Sequence, residues 1–227
     1  MNVEPILTIT IAVFFIIGII VLGVVLHARR KKREAERTAA MRSTATMLGW
    51  EFGEQAPWDW IPNLDKFSLF SEGHSKGIYN IMYGEMNGVK SAFFDYFYVT
   101  GHGKHRTEHW LSVFYAEPRN LNLPFFSLRP ENVLHKFISM FGYQDIDFHN
   151  RPSFSNEYIL RGTDEQAVRN TFNDGLLSFY ETNHGVSTDG GGNQVFIFRN
   201  GHRSPPEEVQ SFITWGSYTQ NLFPRWG

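Results

Sequence analysis

The sequence predicts an α+β protein in which an N-terminal transmembrane helix precedes a mainly antiparallel sheet with helices packed on it. Three observations predict this fold class. Residues 6–26 carry no charge, an Asn87-Gly88 pair separates two aromatic strand patterns, and apolar residues recur at helical spacing near the C-terminus. The 227-residue chain has no cysteine and 42% hydrophobic residues, which is typical of a folded protein without disulfides.

The uncharged segment at residues 6–26 is long enough to cross a bilayer. A helix rises about 1.5 Å per residue, so this segment matches the roughly 30 Å hydrocarbon core. A cleaved signal peptide is the alternative, but it would begin with basic residues and have a shorter apolar core. Residues 1–5 contain no base, so we expect the segment to remain as an anchor.

A basic cluster follows the predicted anchor and sets its expected orientation. It consists of Arg29, Arg30, Lys31, Lys32 and Arg33. Lys and Arg next to a span are retained on the cytoplasmic side, so the N-terminus is expected outside and the C-terminal domain in the cytoplasm, at the inner (plasma) membrane. The cluster is expected to lie at the lipid surface. It is interpreted as a topology signal, with a lipid-sensing switch as the alternative.

The predicted organisation has three parts. Residues 1–27 form the single-pass anchor, residues 28–49 a basic juxtamembrane helix ended by Gly49, and residues 50–227 a cytoplasmic α+β domain. The last part carries a net charge of -6. A phosphate backbone requires a basic face, so nucleic acid is not expected as a partner. The lipid bilayer is the expected partner, with a protein or a small anion as a further one.

Local patterns predict the elements of this domain. Residues 78–86 and 89–99 form a hairpin around Asn87-Gly88, and the second strand is apolar on both faces, which places it inside the sheet. Further strands are predicted at residues 110–116, 124–128, 145–149, 155–160 and 195–199. Helices are predicted from Pro130 to residue 141, over residues 163–183 with a bend at Gly175, and after Ser204. Residues 189–193 are predicted to be a turn.

Motif absences narrow the possible chemistry. A chain without cysteine has no thiol nucleophile. The sequence contains no Gly-x-Ser-x-Gly elbow, no His-Glu-x-x-His pair and no phosphate loop ending in Gly-Lys-Ser/Thr. These absences exclude the easily recognised enzyme classes, and no cofactor is predicted.

One glycine-rich loop is a candidate anion site. Gly101 and Gly103 allow backbone N–H groups to converge, and Lys104 and Arg106 could complete the site with positive charge. The alternative is a solvated connection in which the glycines serve only the turn.

Asp145, Asp147 and His149 form a candidate metal site, because residues two apart on a strand share a face and all three are metal ligands. The alternative is the ordinary alternation of a half-buried strand, with Ile146 and Phe148 inward.

Two further groups have a functional and a structural interpretation. His102, His105 and His109 are close in sequence, but their spacing fits no common zinc pattern. Trp58 and Trp60 could form an exposed patch for a partner, but beside two prolines they are interpreted as a lid on the core.

Several short stretches form a recognisable set. They are Phe94-Asp95-Tyr96-Phe97-Tyr98, Thr100-Gly101-His102-Gly103-Lys104, Phe126-Ser127-Leu128-Arg129-Pro130-Glu131, Asp145-Ile146-Asp147-Phe148 and Phe154-Ser155-Asn156-Glu157-Tyr158-Ile159-Leu160-Arg161-Gly162. As a set they resemble a family of uncharacterised bacterial membrane-anchored proteins with a domain of unknown function. The resemblance covers most of residues 48–222. It implies a bacterial inner-membrane setting and supplies no activity, ligand or catalytic residue.

The sequence therefore leaves two functions open. The first is a membrane-anchored cytoplasmic domain that binds a partner or acts as a scaffold without catalysis. The alternative is a metal-assisted hydrolase that uses Asp145, Asp147 and His149.

Overall fold

The computed structural model describes residues 4–131 and 145–225, with side chains from Phe14 onward. Two compact units are present, residues 1–40 and residues 41–227. Helix α1, Glu4–Leu48, provides the first unit and the first turns of the second. It ends where Gly49 adopts a φ of 68°. The N–H of Trp50 then donates to the carbonyl of Ala45 at 2.8 Å, a closing bond that favours glycine at this position.

The N-terminal part of α1 presents a continuous apolar surface. Phe14 and Phe15 are each 70% exposed, and the large apolar side chains up to Leu26 are exposed as well. Among the residues with described side chains, no helix combines the length and the apolar character needed to span a membrane. The span that the sequence predicts starts at Ile6, ahead of the first described side chain.

The described residues of the second unit form one antiparallel sheet of eight strands. The strands are β1 Glu51–Ala56, β2 His74–Met86, β3 Val89–Thr100, β4 Thr107–Glu117, β5 Leu123–Pro130, β6 Tyr158–Gly162, β7 Ser187–Gly192 and β8 Gln194–Phe198. Their order across the sheet is β1-β2-β3-β4-β8-β7-β5-β6. This order brings β5 and β6 to one edge and leaves β1 at the other.

Five helices accompany the sheet in the described part of this unit. They are α2 Ser68–Ser71, α3 Pro152–Glu157, α4 Glu165–Thr171, α5 Asp174–Thr182 and α6 Val209–Gln220. The predicted α+β class is confirmed, with an antiparallel sheet and helices packed on it.

The sheet has a separate hydrophobic core on each face. One core contains residues of α1, α4, α5 and α6 together with sheet residues such as Phe93 and Phe114. The other lies under residues 57–71, here called the covering segment, which consists of two 3-10 turns and α2. Trp58 and Trp60 pack against this second core, so the interpretation of these tryptophans as a lid is confirmed.

The predicted hairpin is confirmed. Asn87 and Gly88 have φ values of 53° and 75°, and Met86 pairs with Val89 across the turn. Both central residues adopt positive φ, as a two-residue hairpin turn requires. The second strand, β3, lies third in the sheet and is buried on both faces, as its apolar pattern predicted.

The predicted long helix over residues 163–183 is wrong. Two helices occupy this region, because two polar side chains each begin a helix. Asp164 accepts a hydrogen bond from the N–H of Ala167 at 3.0 Å, and Asn173 accepts one from the N–H of Leu176 at 2.9 Å. The break therefore comes at the Asn173 cap and not at Gly175.

The turn predicted at residues 189–193 is shorter than expected, because β7 runs through its first four residues and Gly191 pairs with Gln194 across a turn at Gly192 and Asn193. Gly190 and Gly191 are strand residues that aromatic rings approach closely. A Cβ atom added to Gly190 would lie 2.3 Å from the ring of Phe126, and one added to Gly191 would lie 2.4 Å from the ring of Phe125. These glycines make room for side chains of the neighbouring strand β5.

Residues 145–160 differ from the two short strands that the sequence predicts. Pro152 starts α3, and the strand β6 follows at Tyr158. Residues 145–148 form neither helix nor strand, although Ile146 donates its N–H to the carbonyl of Leu160 at 2.8 Å. Most of the helix predicted from Pro130 to residue 141 lies in residues 132–144, which are outside the described residues, and Pro130 itself ends β5.

A buried carboxylate ties the C-terminal part of the chain to the middle of the sheet. Asp95 on β3 is fully buried and accepts hydrogen bonds from Asn80, Ser112 and Arg203. The Arg203 guanidinium also lies 4.3 Å from the ring centroid of Trp110. The four polar side chains satisfy one another around the carboxylate, so the cluster is a structural tie and not an open site.

Candidate ligand-binding pocket

The structure places the predicted anion loop between β3 and β4. Gly101, Gly103, Lys104 and Arg106 are all exposed, and Gly103–His105 forms a 3-10 turn. Arg106 pairs with Glu108 at 2.7 Å, which compensates one of the two cations expected to attract an anion. The loop residues are exposed, and the choice between an anion site and a solvated connection stays a prediction.

His102 in the loop and His109 on β4 contact different side chains. The His102 ring stacks on His74 with ring centroids 4.6 Å apart, whereas the His109 ring stacks on Tyr98. Nε2 of His109 lies 2.7 Å from the hydroxyl of Thr100. Within residues 4–131 and 145–225, no three histidine or acidic side chains are grouped so that they could hold a metal ion.

Asp145, Asp147 and His149 are exposed, while Ile146 and Phe148 between them are buried. Asp145 accepts a hydrogen bond from the N–H of Leu160, at the edge of the sheet. Desolvation raises the pKa of the Asp145 carboxyl, and the nearby charge of Asp147 acts in the same direction. The geometry therefore gives the predicted metal set no support. The alternation of a half-buried segment explains these residues.

The two predicted sites lie at different places on the sheet. Ile146 forms a backbone hydrogen bond to Leu160 of β6, whereas the loop at residues 101–106 joins β3 to β4. Three strands separate β4 from β6, which corresponds to about 19 Å at the usual strand spacing. The two sets therefore do not line one cavity.

The basic cluster lies on α1. All five of its residues, Arg29, Arg30, Lys31, Lys32 and Arg33, are exposed. Lys32 forms an ion pair with Glu36 one turn later, at 3.8 Å. This spacing is typical of an ordinary solvated pair on a helix.

A pocket that sequence reasoning missed lies at the edge of the sheet formed by β5 and β6. Its volume is about 290 Å³. The covering segment supplies one wall and the two strands supply the other. The lining residues are Lys66, Ser68, Phe125, Phe126, Ser127, Arg161, Gly162 and Thr163.

Two cations border this pocket, and neither forms an ion pair within the described residues. The Nζ atom of Lys66 lies 5.9 Å from the ring centroid of Phe125, which holds the ammonium over an aromatic wall. Arg161 lies directly opposite Ser127 across the β5–β6 pair. Its Nε atom is buried without a hydrogen-bond partner among the described residues. A buried donor without a partner is unfavourable, so the described residues do not fully satisfy the Arg161 guanidinium.

The other polar groups of the pocket are hydroxyls. Ser68, Ser127 and Thr163 can each donate a hydrogen bond into it. The eight lining residues include no carboxylate and no imidazole. The pocket therefore offers hydrogen-bond donors and positive charge beside an aromatic wall, a combination suited to a ligand with a negative group and an apolar part.

A buried ion pair lies beside the pocket and does not change its charge. Asp189 on β7 is, like Arg161, a register partner of Ser127. Its carboxylate pairs with Arg129 at 2.6 Å and accepts a hydrogen bond from the N–H of Leu69 at 2.8 Å. The charges of Arg129 and Asp189 thus compensate each other, and the net positive charge comes from Lys66 and Arg161.

One local signal for this pocket was present in the sequence. Arg129 and Arg161 occupy strand positions among apolar residues, where a cation is unusual. No comparable sequence pattern marks Lys66, because it lies in an irregular segment and not among the apolar residues of a strand. Only the pairing of β5 with both β6 and β7 brings these positions together.

Comparison with known proteins identifies the fold alone. The chain matches no family model and no curated protein, so the resemblance to a bacterial membrane-anchored family stays a prediction. It is similar to a crystal structure of the mycobacterial trehalose monomycolate transport factor A. The TM-score is 0.57 at 10% sequence identity, over 84% of this chain and 98% of the other. An identity this low supports a shared fold and does not transfer a function.

Proposed function

We propose that the chain is a membrane-anchored binding protein whose second unit, residues 41–227, binds an anionic ligand without catalysing a reaction. The observation that carries this proposal is the edge pocket, where Lys66 and Arg161 make no ion pair within the described residues. A cation close to a partly enclosed apolar wall attracts an anion more strongly than one in open water does.

The absence of general bases in the pocket supports a binding role. His, Asp and Glu side chains are the usual groups that accept a proton during catalysis. The described lining offers none of them, and its hydroxyls have no neighbouring base among the lining residues to activate them. The name of the structural neighbour, a transport factor, is compatible with a protein that binds a molecule and releases it unchanged.

The proposed anchor is the uncharged segment at residues 6–26. The exposed apolar side chains from Phe14 to Leu26 support it, because such a surface is unfavourable in water. The basic cluster at residues 29–33 favours a cytoplasmic position for residues 41–227.

A tag fused to the C-terminus should be protected from protease added to intact cells. Digestion of the tag under those conditions would contradict the proposed topology.

Ligand binding can be tested by purifying the full-length chain in a mild detergent and identifying the acidic compounds that remain bound by mass spectrometry. We expect the wild type to retain a compound that the double variant Lys66→Gln/Arg161→Gln loses. Arg119→Gln is the matched control, because Arg119 is exposed in the turn between β4 and β5.

Two results would contradict the proposed function. Equal recovery of every acidic compound from the wild type and the double variant would show that the pocket cations bind nothing. Conversion of the retained compound into a product during incubation with the purified chain would show a reaction, which a binding protein does not carry out.

A further inference from the structure

We infer that the ligand of the edge pocket is a single-chain amphiphile with an anionic head group, a carboxylate or a phosphate monoester. This inference rests on the proposed function and specifies the chemical class of its ligand. The head would contact Arg161 and Lys66, and the chain would lie against the Phe125 ring.

The choice of an anionic head follows from Arg161. Its guanidinium is planar and always charged, and it binds carboxylate and phosphate oxygens through parallel N–H donors. Among the described residues its Nε has no acceptor. The Asp145 carboxyl, whose pKa is raised mainly by desolvation, is near enough to interact with the charge of Arg161, although it makes no described ion pair with Arg161. A ligand carboxylate or phosphate would provide the counter-charge for the guanidinium.

Lys66 provides the second charge of the head site. It belongs to the covering segment and approaches the pocket from the side opposite the two strands. Ser68 and Ser127 add hydroxyl donors from the same two walls. Donors from two sides suit a head group with more than one acceptor oxygen, such as a carboxylate or a phosphate.

The choice of an apolar chain follows from the aromatic wall. Phe125 is only partly buried, although its ring packs on Phe67 with centroids 5.5 Å apart. The Phe126 ring belongs to the core on the other face of the sheet, so the Phe125 ring supplies the apolar wall. Covering the exposed part of this wall with an apolar chain is favourable, because it removes apolar surface from water. The volume of about 290 Å³ is at the lower end for small-molecule pockets, so one narrow chain fits better than two.

Two simpler classes of ligand would each interact with only one part of the pocket, either the cations or the aromatic wall. Inorganic phosphate or acetate would pair with the cations but leave the wall at Phe125 in water. A neutral alcohol or acylglycerol would cover that wall but would leave the Arg161 charge without a counter-ion. An anionic amphiphile satisfies both parts at once.

The test is equilibrium binding of labelled probes to the full-length chain in nanodiscs, with binding to empty nanodiscs subtracted. Four probes separate the two halves of the ligand: decanoate and decyl phosphate carry both, decan-1-ol carries only the chain, and acetate carries only the charge. We expect one or both amphiphilic anions to bind more tightly than decan-1-ol and acetate.

Substitutions of the lining residues, with Arg119→Gln as the control, test whether this binding occurs in the pocket. Arg161→Gln should weaken binding of the amphiphilic anion by about tenfold to a hundredfold, which corresponds to loss of charge-assisted hydrogen bonds. Lys66→Gln should weaken it by less than about fivefold, because Lys66 is exposed. Phe125→Ala should weaken binding of the amphiphile but not of acetate, and Arg119→Gln should change neither. Unchanged thermal unfolding of Arg161→Gln would show that the variant remains folded.

The outcomes separate this inference from the proposed function. If acetate binds as tightly as decanoate and its binding depends on Arg161, the amphiphile class is wrong and anion binding remains. If decan-1-ol binds as tightly as decanoate and Arg161→Gln has no effect, both are wrong. If neither amphiphilic anion binds above empty nanodiscs, the amphiphile class is wrong, and the co-purification experiment decides on the proposed function independently.

Discussion

Arg129 and Asp189 form an ion pair whose two side chains are 3% and 0% exposed. The pair joins the neighbouring strands β5 and β7, and the Arg129 guanidinium also lies 4.7 Å from the ring centroid of Phe198. Because Asp189 compensates Arg129, a ligand in the adjacent edge pocket meets the charges of Lys66 and Arg161 instead. Arg129 is therefore structural, whereas Arg161 is the arginine that we propose binds the ligand.

Removing one partner of this pair should strongly destabilise the protein. Arg129→Met leaves the Asp189 carboxylate buried without its cation, which should lower the free energy of unfolding by about 3–5 kcal/mol. The double variant Arg129→Met/Asp189→Asn should be more stable than Arg129→Met, because the Asn amide oxygen can still accept from the Leu69 N–H. Unfolding followed by tryptophan fluorescence measures the difference.

An exposed pair is the control for that prediction. Arg106 and Glu108 are 49% and 32% exposed, so Arg106→Gln should change the free energy of unfolding by less than about 1 kcal/mol. If Arg129→Met were no more destabilising than Arg106→Gln, the buried pair would not be stabilising the sheet.

Two buried tyrosines should respond in opposite directions to loss of their hydroxyls. The Tyr96 hydroxyl is buried and has no hydrogen-bond partner among the described residues, whereas the Tyr180 hydroxyl lies 2.7 Å from that of Thr188. Tyr96→Phe should leave stability unchanged or raise it by about 1 kcal/mol, since it removes an unsatisfied polar group. Tyr180→Phe should lower stability by about 1 kcal/mol. Paired thermal unfolding curves measure both, and equal losses would contradict the assigned hydrogen-bonding states.

Alkaline pH should destabilise the domain through its buried tyrosines. Burial raises the pKa of Tyr96, Tyr115 and Tyr180 well above the ordinary value of 10.0. The folded state therefore keeps protons that the unfolded state releases, so this stabilisation is complete below pH 10 and is lost as the pH rises above it. Tyr96→Phe should reduce the loss. Tyrosinate absorbance recorded with unfolding between pH 8 and 11 tests this, and a loss of equal size in Tyr96→Phe would contradict a contribution from Tyr96.

Elements set by short-range patterns were the ones that the sequence predicted well. The Asn87-Gly88 turn needs two positive φ angles, and the last helix buries Val209, Phe212 and Ile213 at helical spacing. Both patterns depend on neighbours within a few residues. β7 was missed because its glycines resemble a turn, and only the rings of β5 explain them.

The candidate site could not be predicted in the same way. Lys66 and Arg161 are far apart in sequence. They line the same pocket only because β5 pairs with β6 beneath the covering segment. Sequence reasoning instead selected charged residues that are adjacent in the chain. Those residues are exposed and solvated, or paired, as Arg106 is with Glu108. Proximity in sequence thus gave little information about which charges lack partners.

Asn80 should show an unusual order of stability among its small replacements. It has a φ of 48° at an irregularity of β2, and its side-chain amide donates to Asp95 at 2.9 Å. Both Asn80→Gly and Asn80→Ala lose this hydrogen bond, but only glycine adopts the left-handed region without strain. The alanine variant should therefore be about 1 kcal/mol less stable than the glycine variant, the reverse of the usual order in a strand.

Ser91 on β3 provides the matched control for Asn80. It is also buried and has no positive φ, so Ser91→Ala should be more stable than Ser91→Gly. Denaturant unfolding of the four variants under one set of conditions gives both differences. The same order at both positions would contradict a left-handed conformation at Asn80. Opposite orders would support a left-handed backbone at Asn80, because both Asn80 variants lose the hydrogen bond to Asp95 and differ only in the strain of this conformation.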